Sequence, residues 1–156
     1  MGLGNIFLNL KGREPSGIVD PADAPALIEE IRTKLLALRD DDGTKVTREV
    51  YRGSDLYHGA RVDEAPDMVA GFESGYRVSW QNCLGCLDAD VITDNTQRWS
   101  ADHCSVDPSI VPGILFSSLP IRDGAEPGIL DVVPSLFELL GVERADLEGT
   151  SFLAGK

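Results

Sequence analysis

The stretch DPADAPALIEEIRTKLLALRDDDG, residues 20–43, gives the strongest structural signal in the sequence and decides its fold class. Asp20 is a typical helix cap, and Pro21 suits the first helical position, where a missing N–H breaks no hydrogen bond. The run DDDG ends the pattern, which predicts a helix over about residues 21–39. Apolar residues recur at helical spacing and define one face of this helix: Leu27, Ile31, Leu35 and Leu38. Such a face must pack against a neighbouring element.

Short β-like segments flank the helix on both sides. KVTREVY (residues 45–51) alternates and is rich in β-forming residues, and APDMVAGF (65–72) opens with a proline near a strand start, where it is tolerated. GYRVSW (75–80) and GILFSS (113–118) are further strand candidates. NIFLNL (5–10) is typical of a strand that either needs buried neighbours or lies on a sheet edge. Strands interspersed with helices predict an α/β fold.

The segment LDVVPSLFELLG, residues 130–141, predicts a second main helix over about residues 131–140. Asp131 is a suitable cap and Gly141 a suitable terminator. Because no repeat, low-complexity tract or composition change divides the sequence, we expect residues 1–156 to form one unit with a few strands and two main helices. The expected buried face of the second helix consists of Val133, Leu136, Phe137 and Leu140.

The composition excludes some classes of partner. The chain has 156 residues and a formal charge of -12, and such a surface repels nucleic-acid backbones and anionic membranes. No apolar run reaches membrane-spanning length, and no signal peptide is recognisable. Three cysteines do not suggest a disulfide framework, so reduced thiols and a cytoplasmic location are favoured. A small phosphate ester is compatible with the acidic balance, since a bound cation reverses the local sign of charge.

The polar, proline-punctuated stretch WSADHCSVDPSIVPG, residues 99–113, carries the first candidate site residue. His103 offers an imidazole, a common metal ligand, in a loop between predicted strands. Asp102 and Asp107 are nearby hard ligands, or partners that could fix the tautomer of the imidazole. The alternative is a hydrogen-bonded loop histidine without a metal, and the residue types alone favour it.

The CLGC motif, residues 83–86, supplies a second candidate. Together with Cys104 and His103, Cys83 and Cys86 could form a structural Cys3His zinc site. The spacing argues against this site, because an adjacent His-Cys pair does not easily direct both side chains at one ion. Partly buried thiols without a metal are the alternative.

Two further residues carry weaker signals. Arg13, in KGREPSG (residues 11–17), follows a predicted strand and could bind a phosphate oxygen, or it could pair with Glu14 to fix the turn. His58 lies between two predicted strands, where a surface turn is the favoured interpretation. The sequence contains no recognisable nucleophile, phosphate-loop or metalloprotease motif.

Four segments follow one another in a familiar order. They are NIFLNLKGREPSGIVDP (residues 5–21), LYHGARVDEAPDMVAGFESGYRVSWQ (56–81), WSADHCSVDPSIVPGILFSS (99–118) and ILDVVPSLFELLGVERADLEGTSFL (129–153). Over nearly its whole length the chain resembles the C-terminal part of the type I phosphodiesterase / nucleotide pyrophosphatase family, in the alkaline phosphatase superfamily. The closing LEGTSF is similar to the usual ending of that superfamily, in which a helix is followed by Gly-x-Ser and a hydrophobic residue.

The resemblance implies a concrete function. Members of the family are α/β sandwiches around a large sheet, with two divalent metals, typically zinc, at the strand ends. A Thr or Ser attacks phosphorus, and six Asp and His ligands hold the metals. His103 matches the last His ligand in chain order. The implied substrate is a small phosphate ester.

The sequence departs from the family pattern in what it lacks. The nucleophile and the other ligands of the family precede the matching region, and residues 1–156 contain no counterpart of them. A catalytic zinc needs about three protein ligands, so we expect the chain alone to be inactive and to hold little or no metal. Missing neighbours would also leave apolar surface uncovered, so we expect the chain alone to be either partly unstable or self-associated. The alternative function is a non-catalytic binding or interaction module with structural zinc at Cys83, Cys86, Cys104 and His103.

Overall fold

The structure is a computed structural model that describes residues 4–79, 89–98, 106–144 and 146–155. It is a mixed α/β structure with one small antiparallel sheet and few helices in this part of the chain. The contacts between residues divide the chain into two units, Met1–Pro112 and Gly113–Lys156, and each is described by itself. The broad α/β prediction is therefore confirmed, and the alkaline-phosphatase-like sandwich stays a prediction.

Three antiparallel strands form the sheet of the first unit. The edge strands are β1 (Asn5–Ile6) and β2 (Thr47–Arg52), and β3 (Met68–Phe72) lies between them. The segments KVTREVY and APDMVAGF are thus confirmed as strands. NIFLNL contributes only two residues to the sheet. These residues form an edge strand, which was one of the two predictions for that segment.

The helix predicted from the opening stretch is confirmed as α1 (Ala24–Ala37). It covers one face of the sheet, where Val50, Met68 and Ala70 are buried together with Leu8. Of the predicted stripe, Leu27, Ile31 and Leu35 pack against this core, whereas Leu38 follows the last residue of the helix and is not among the residues that do. The residues of α1 that pack against the core are Ala24, Leu27, Ile28, Ile31, Leu35 and Leu36.

The start of α1 corrects the predicted cap. The carboxylate of Asp20 accepts a hydrogen bond from the Ala22 N–H at 3.1 Å, and its carbonyl accepts one from the Asp23 N–H at 2.9 Å. Asp20 and Pro21 therefore belong to a turn that precedes the helix. Pro25 occupies the first helical turn instead, where a proline leaves no acceptor unsatisfied.

Two arginines attach α1 to the edge strand β2. Arg32 donates to the carbonyl of Val50 at 3.1 Å and to Glu49 at 2.9 Å. From the strand, Arg52 donates to Glu29 of the helix at 2.9 and 2.6 Å. These contacts fix the helix along the strand direction, which apolar packing alone does not do.

Two predicted strands are wrong in the described part of the chain. Residues 75–79 of GYRVSW form no strand, because β3 already has a partner on each side and Gly75 (φ 95°) turns the chain away. Tyr76 instead donates from its hydroxyl to Asp40 at 2.7 Å, which ties this segment to the turn after α1. Residues 113–118 of GILFSS also form no strand and are exposed.

Short helical segments complete the first unit. They are α2 (Gly53–Leu56) and a 3-10 turn at Val62–Glu64. Among the described helices of the whole chain, none combines the length and the apolar character needed to cross a bilayer.

The second unit contains the other predicted helix, which is confirmed as α3 (Val132–Leu140) and is preceded by a 3-10 turn at Ile129–Asp131. Gly141 ends it in the left-handed conformation (φ 68°), as expected of a terminator. The predicted buried face is mostly wrong. Phe137 is half-buried, but the other three members, Val133, Leu136 and Leu140, are exposed.

Candidate functional site

Apart from Asp107, the residues predicted as metal ligands lie outside the described part of the chain. These are His103, Asp102, Cys83, Cys86 and Cys104. In the described ranges, no group of three or more His, Cys, Asp or Glu side chains is arranged to hold a metal ion. What the structure does describe is the second half of the predicted ligand loop, from Val106 onward, and the way it is attached to the sheet.

The loop returns to the sheet at the carboxyl-terminal end of β3. Val106 forms a parallel bridge with Phe72, and the Asp107 N–H donates to the Phe72 carbonyl at 3.0 Å. The Ile110 N–H then donates to the Asp107 carbonyl at 3.0 Å, so the chain turns immediately after the attachment.

The side chain of Asp107 is fully buried and accepts three hydrogen bonds. The Tyr51 hydroxyl donates to Oδ2 at 2.9 Å, and Ser109 donates to Oδ1 from its N–H at 2.9 Å and from its hydroxyl at 2.5 Å. Burial alone would raise the pKa of Asp107, but the bonds from Ser109 and Tyr51, with the nearby charge of Arg48, outweigh it and lower that pKa. The buried side chain of Asp107 is therefore an ionised carboxylate at neutral pH.

Gly71 provides the space that the carboxylate occupies. A Cβ at this position would lie 2.3 Å from Asp107 Oδ2, closer than any real contact. Gly71 alternates along β3 with Ala70, and Tyr51 alternates along β2 with Val50, so both lie on the face opposite the α1 core. Asp107 thus covers the second face of the sheet at the end of its central strand.

Two charged side chains, Arg48 and Glu73, lie next to this attachment. A register irregularity between Thr47 and Glu49 interrupts β2 at Arg48. Arg48 donates from Nε to the Ser109 hydroxyl at 2.8 Å, and its Nη1 lies 3.3 Å from Glu73.

The phenol of Tyr51 has its pKa raised, first by burial and then by its bond to Asp107, so it remains a donor at neutral pH.

The side chain of Asp107 contributes more to this attachment than its backbone N–H does. One backbone hydrogen bond contributes about 1 kcal/mol, whereas a bond to an ionised group contributes about 1.5–3 kcal/mol. The carboxylate accepts three bonds, and the N–H donates one.

This arrangement bears on the two roles that the sequence predicted for Asp107, a metal ligand or a partner that fixes the tautomer of His103. A carboxylate has about four lone-pair sites, and Tyr51 and Ser109 occupy three of those on Asp107. In the described part of the chain the residue acts as an anchor of the loop rather than as a member of a ligand group.

The structure favours the turn-fixing interpretation of Arg13. Its guanidinium forms two bonds to Asp67, at 3.0 and 2.7 Å, one to Glu14 at 2.7 Å and one to the Leu8 carbonyl at 2.8 Å. Burial opposes ionisation of Asp67, but the bonds from Arg13 and the Leu8 N–H outweigh it and lower its pKa. Binding a phosphate through Arg13 would break this fork.

The remaining predicted residue and the described groove offer no ligand group. His58 is exposed beyond α2, which confirms the surface-turn interpretation. In the second unit an open groove of about 570 Å³ is lined by apolar and charged side chains, among them Phe137, Val142 and Glu138. Its one basic side chain, Arg144, is paired with Asp146.

Sequence reasoning missed the cluster formed by Tyr51, Gly71, Ser109 and Asp107. One signal was available: a glycine inside a strand pattern marks a place where another group approaches the backbone closely. The identity of that group depends on a contact between residues far apart in the chain.

Comparison of the chain with protein-family models, with characterised proteins and with solved structures finds no match.

Proposed function

We propose that the chain is the C-terminal portion of a metal-dependent phosphodiesterase or nucleotide pyrophosphatase with an alkaline-phosphatase-like fold. Its contribution to the site is His103, the last His ligand of a two-metal centre, and the substrate is a small phosphate ester. The observation that supports this most directly is the attachment of Asp107 to the end of β3. It holds residues 106–110, which follow His103 closely in the sequence, at the end of a strand, and functional loops are typically carried by a rigid scaffold in this way.

The closing segment of the chain gives further support. The Thr150 N–H donates to the Asp131 carboxylate at 2.8 Å, and the Phe152 N–H donates to the Ser135 hydroxyl at 3.0 Å. A Cβ at Gly149 would lie 2.2 Å from the Leu130 carbonyl oxygen. The pattern of a helix followed by Gly-x-Ser and a hydrophobic residue therefore has a physical basis here, because the segment packs against the start of the helix.

The charge balance agrees with a cation-dependent phosphate ester hydrolase rather than a nucleic-acid-binding protein. A net charge of -12 repels a phosphate backbone, but it attracts divalent cations. The described residues do not themselves form a metal site, and His103 is one ligand where about three are needed. The proposal therefore assigns no reaction step to this chain alone, which we expect to be inactive.

The coding sequence upstream of Met1 provides the direct test. The proposal predicts an in-frame extension that carries a Thr or Ser nucleophile and a second Asp-His pair. The extended protein should hydrolyse a generic phosphodiester such as bis(4-nitrophenyl) phosphate in a zinc-dependent manner. His103→Ala should reduce this activity by about 100-fold or more, since even partners of a ligand change affinity or activity by about 10–100-fold.

His58→Ala is the matched control, because it removes the only other histidine of the chain and that residue is exposed. Its activity should equal that of the unaltered protein. An extension without these residues, or hydrolysis that His103→Ala leaves unchanged, would contradict the proposal.

Elemental analysis of the purified chain separates the proposal from the alternative module. Little or no zinc is expected. One equivalent of zinc that is lost in a Cys83→Ser, Cys86→Ser double variant would favour the structural Cys3His site and the non-catalytic function.

A further inference from the structure

We propose that Asp107 is a positioning residue whose buried carboxylate clamps the loop carrying His103 to the end of β3. The clamp consists of Asp107, its donors Tyr51 and Ser109, and Gly71, which leaves room for the carboxylate. The inference rests on the proposed function in one respect, namely that His103 is a metal ligand. The clamp itself is formed by described residues.

The clamp attaches the chain at Asp107 to two strands of the sheet. Its backbone bond joins Asp107 to Phe72 of the central strand, and its side-chain bond to Tyr51 joins it to the edge strand β2. Attachment to two strands fixes the direction of the chain as well as its position. The two bonds from Ser109 also keep the chain folded back immediately after Asp107.

Chain length transmits this restraint to His103. Four peptide steps separate His103 from Asp107, so their Cα atoms are at most about 14 Å apart. The clamp fixes the Asp107 end of this four-residue connection at the end of β3. When the clamp is released, Asp107 is no longer held there, and the effective concentration of the imidazole at a metal held by other parts of the fold falls.

A spin label at position 103 measures this restraint without any metal. In a background of Cys83→Ser, Cys86→Ser and Cys104→Ser, the variant His103→Cys carries a nitroxide. Paramagnetic broadening of the backbone amides of β3 then reports how close the label stays to the strand. We expect strong broadening and a restricted electron-resonance line shape.

Two variants release the clamp in different ways. Asp107→Ala removes the carboxylate, whereas Gly71→Ala keeps it and places a Cβ 2.3 Å from Oδ2, which expels it. Both should weaken the broadening at β3 several-fold and sharpen the line shape. Tyr51→Phe removes a single hydroxyl and should have a smaller effect in the same direction.

A label at position 58, in a second variant His58→Cys, is the control for unfolding. Its line shape should stay unchanged when Asp107 or Gly71 is replaced, because this exposed turn is not part of the clamp. Should Asp107→Ala unfold the chain, the milder Tyr51→Phe carries the test. Unchanged broadening at β3 in folded clamp variants overturns the proposal.

The metal requirement of the extended protein separates positioning from a merely structural role. Asp107→Asn should raise the zinc concentration needed for half-maximal hydrolysis by about 10–100-fold, with kcat at saturating zinc retained. Loss of kcat at every zinc concentration would contradict positioning. Failure of the proposed function is recognised separately, because it appears as unchanged hydrolysis in His103→Ala and leaves the spin-label result as it stands.

Discussion

The hydroxyl group of Thr47 is fully buried, and within the described part of the chain it makes no hydrogen bond. Ser135 is buried to a similar degree, but its hydroxyl donates to the Asp131 carbonyl at 2.7 Å and accepts from the Phe152 N–H at 3.0 Å. Burying a polar group is costly only when its hydrogen bonds are not replaced. The two hydroxyls should therefore contribute to stability with opposite signs.

Thr47→Val should raise the free energy of unfolding by about 1 kcal/mol, because it replaces an unbonded hydroxyl with a methyl group of similar size. Ser135→Ala should lower it by about 1–3 kcal/mol, because the Phe152 N–H loses its acceptor. Urea denaturation followed by circular dichroism measures both. Destabilisation by Thr47→Val would show that a water or another group satisfies its hydroxyl.

The ion pair between Arg13 and Asp67 makes stability depend on acid pH. Asp67 is mostly buried, and its pKa lies below the ordinary value of 3.8 because its bonds outweigh burial. Between the two pKa values the unfolded chain binds more protons than the folded chain, so stability rises with pH there. The contribution is present above about pH 4 and is lost as the pH falls through the folded-state pKa.

Asp67→Asn should lower the free energy of unfolding by about 2 kcal/mol at neutral pH, since bonds to an ionised group are worth about 1.5–3 kcal/mol. The variant should also lose less of its remaining stability between about pH 6 and pH 2. Urea midpoints across this range measure both effects. Parallel profiles for the two proteins would contradict the role assigned to Asp67.

At the scale of elements, local sequence patterns predicted the helices and strands that each have one face packed on a core. The periodicity of residues 20–43 identified α1, and the alternation in KVTREVY identified β2, because each pattern reflects one face packed on a core. Whether GYRVSW becomes a strand depends on a free partner, which a sequence pattern does not encode. The buried face of α3 was predicted wrongly for the same reason, since a pattern shows that a face is apolar and not what covers it.

The central strand β3 offers a direct test of which face carries the core. Met68 is fully buried among residues of the α1 core, whereas its neighbour Val69 is half-buried on the other face. Met68→Ala should lower the free energy of unfolding by about 2–5 kcal/mol, the range for large cavities in a core. Val69→Ala should cost about 1 kcal/mol or less. Equal losses in the two variants would contradict the assignment of faces.

At the scale of the whole molecule, the site was less predictable than the fold. The sequence singled out His103 by residue type and by resemblance. It marked Gly71 only as a glycine inside a strand, and it gave no means of finding Tyr51, because both residues contribute only through contact with Asp107. The residue pattern of a helix or strand indicates whether one of its faces is buried. A site assembled from a strand face and a distant loop becomes visible only when the chain is folded.

Exposed apolar side chains are concentrated in the unit Gly113–Lys156, where Phe116 is 92% exposed, Ile129 85% and Leu140 70%. Such surface favours association, while a net charge of -12 opposes it by repulsion between copies. Salt screens the repulsion and leaves the apolar attraction, so the mean mass in solution should rise with both protein concentration and ionic strength.

Light scattering coupled to size-exclusion chromatography measures this self-association. Phe116→Ser and Leu140→Ser should each reduce it, because each removes apolar surface from the second unit. Ile18→Ser is the matched control, since Ile18 is 74% exposed but belongs to the other unit. If the apolar surface of the second unit drives association, Ile18→Ser leaves the mass unchanged. A mass that stays at one chain across concentration and salt would show that repulsion prevails and that this apolar surface is too dispersed to join two copies.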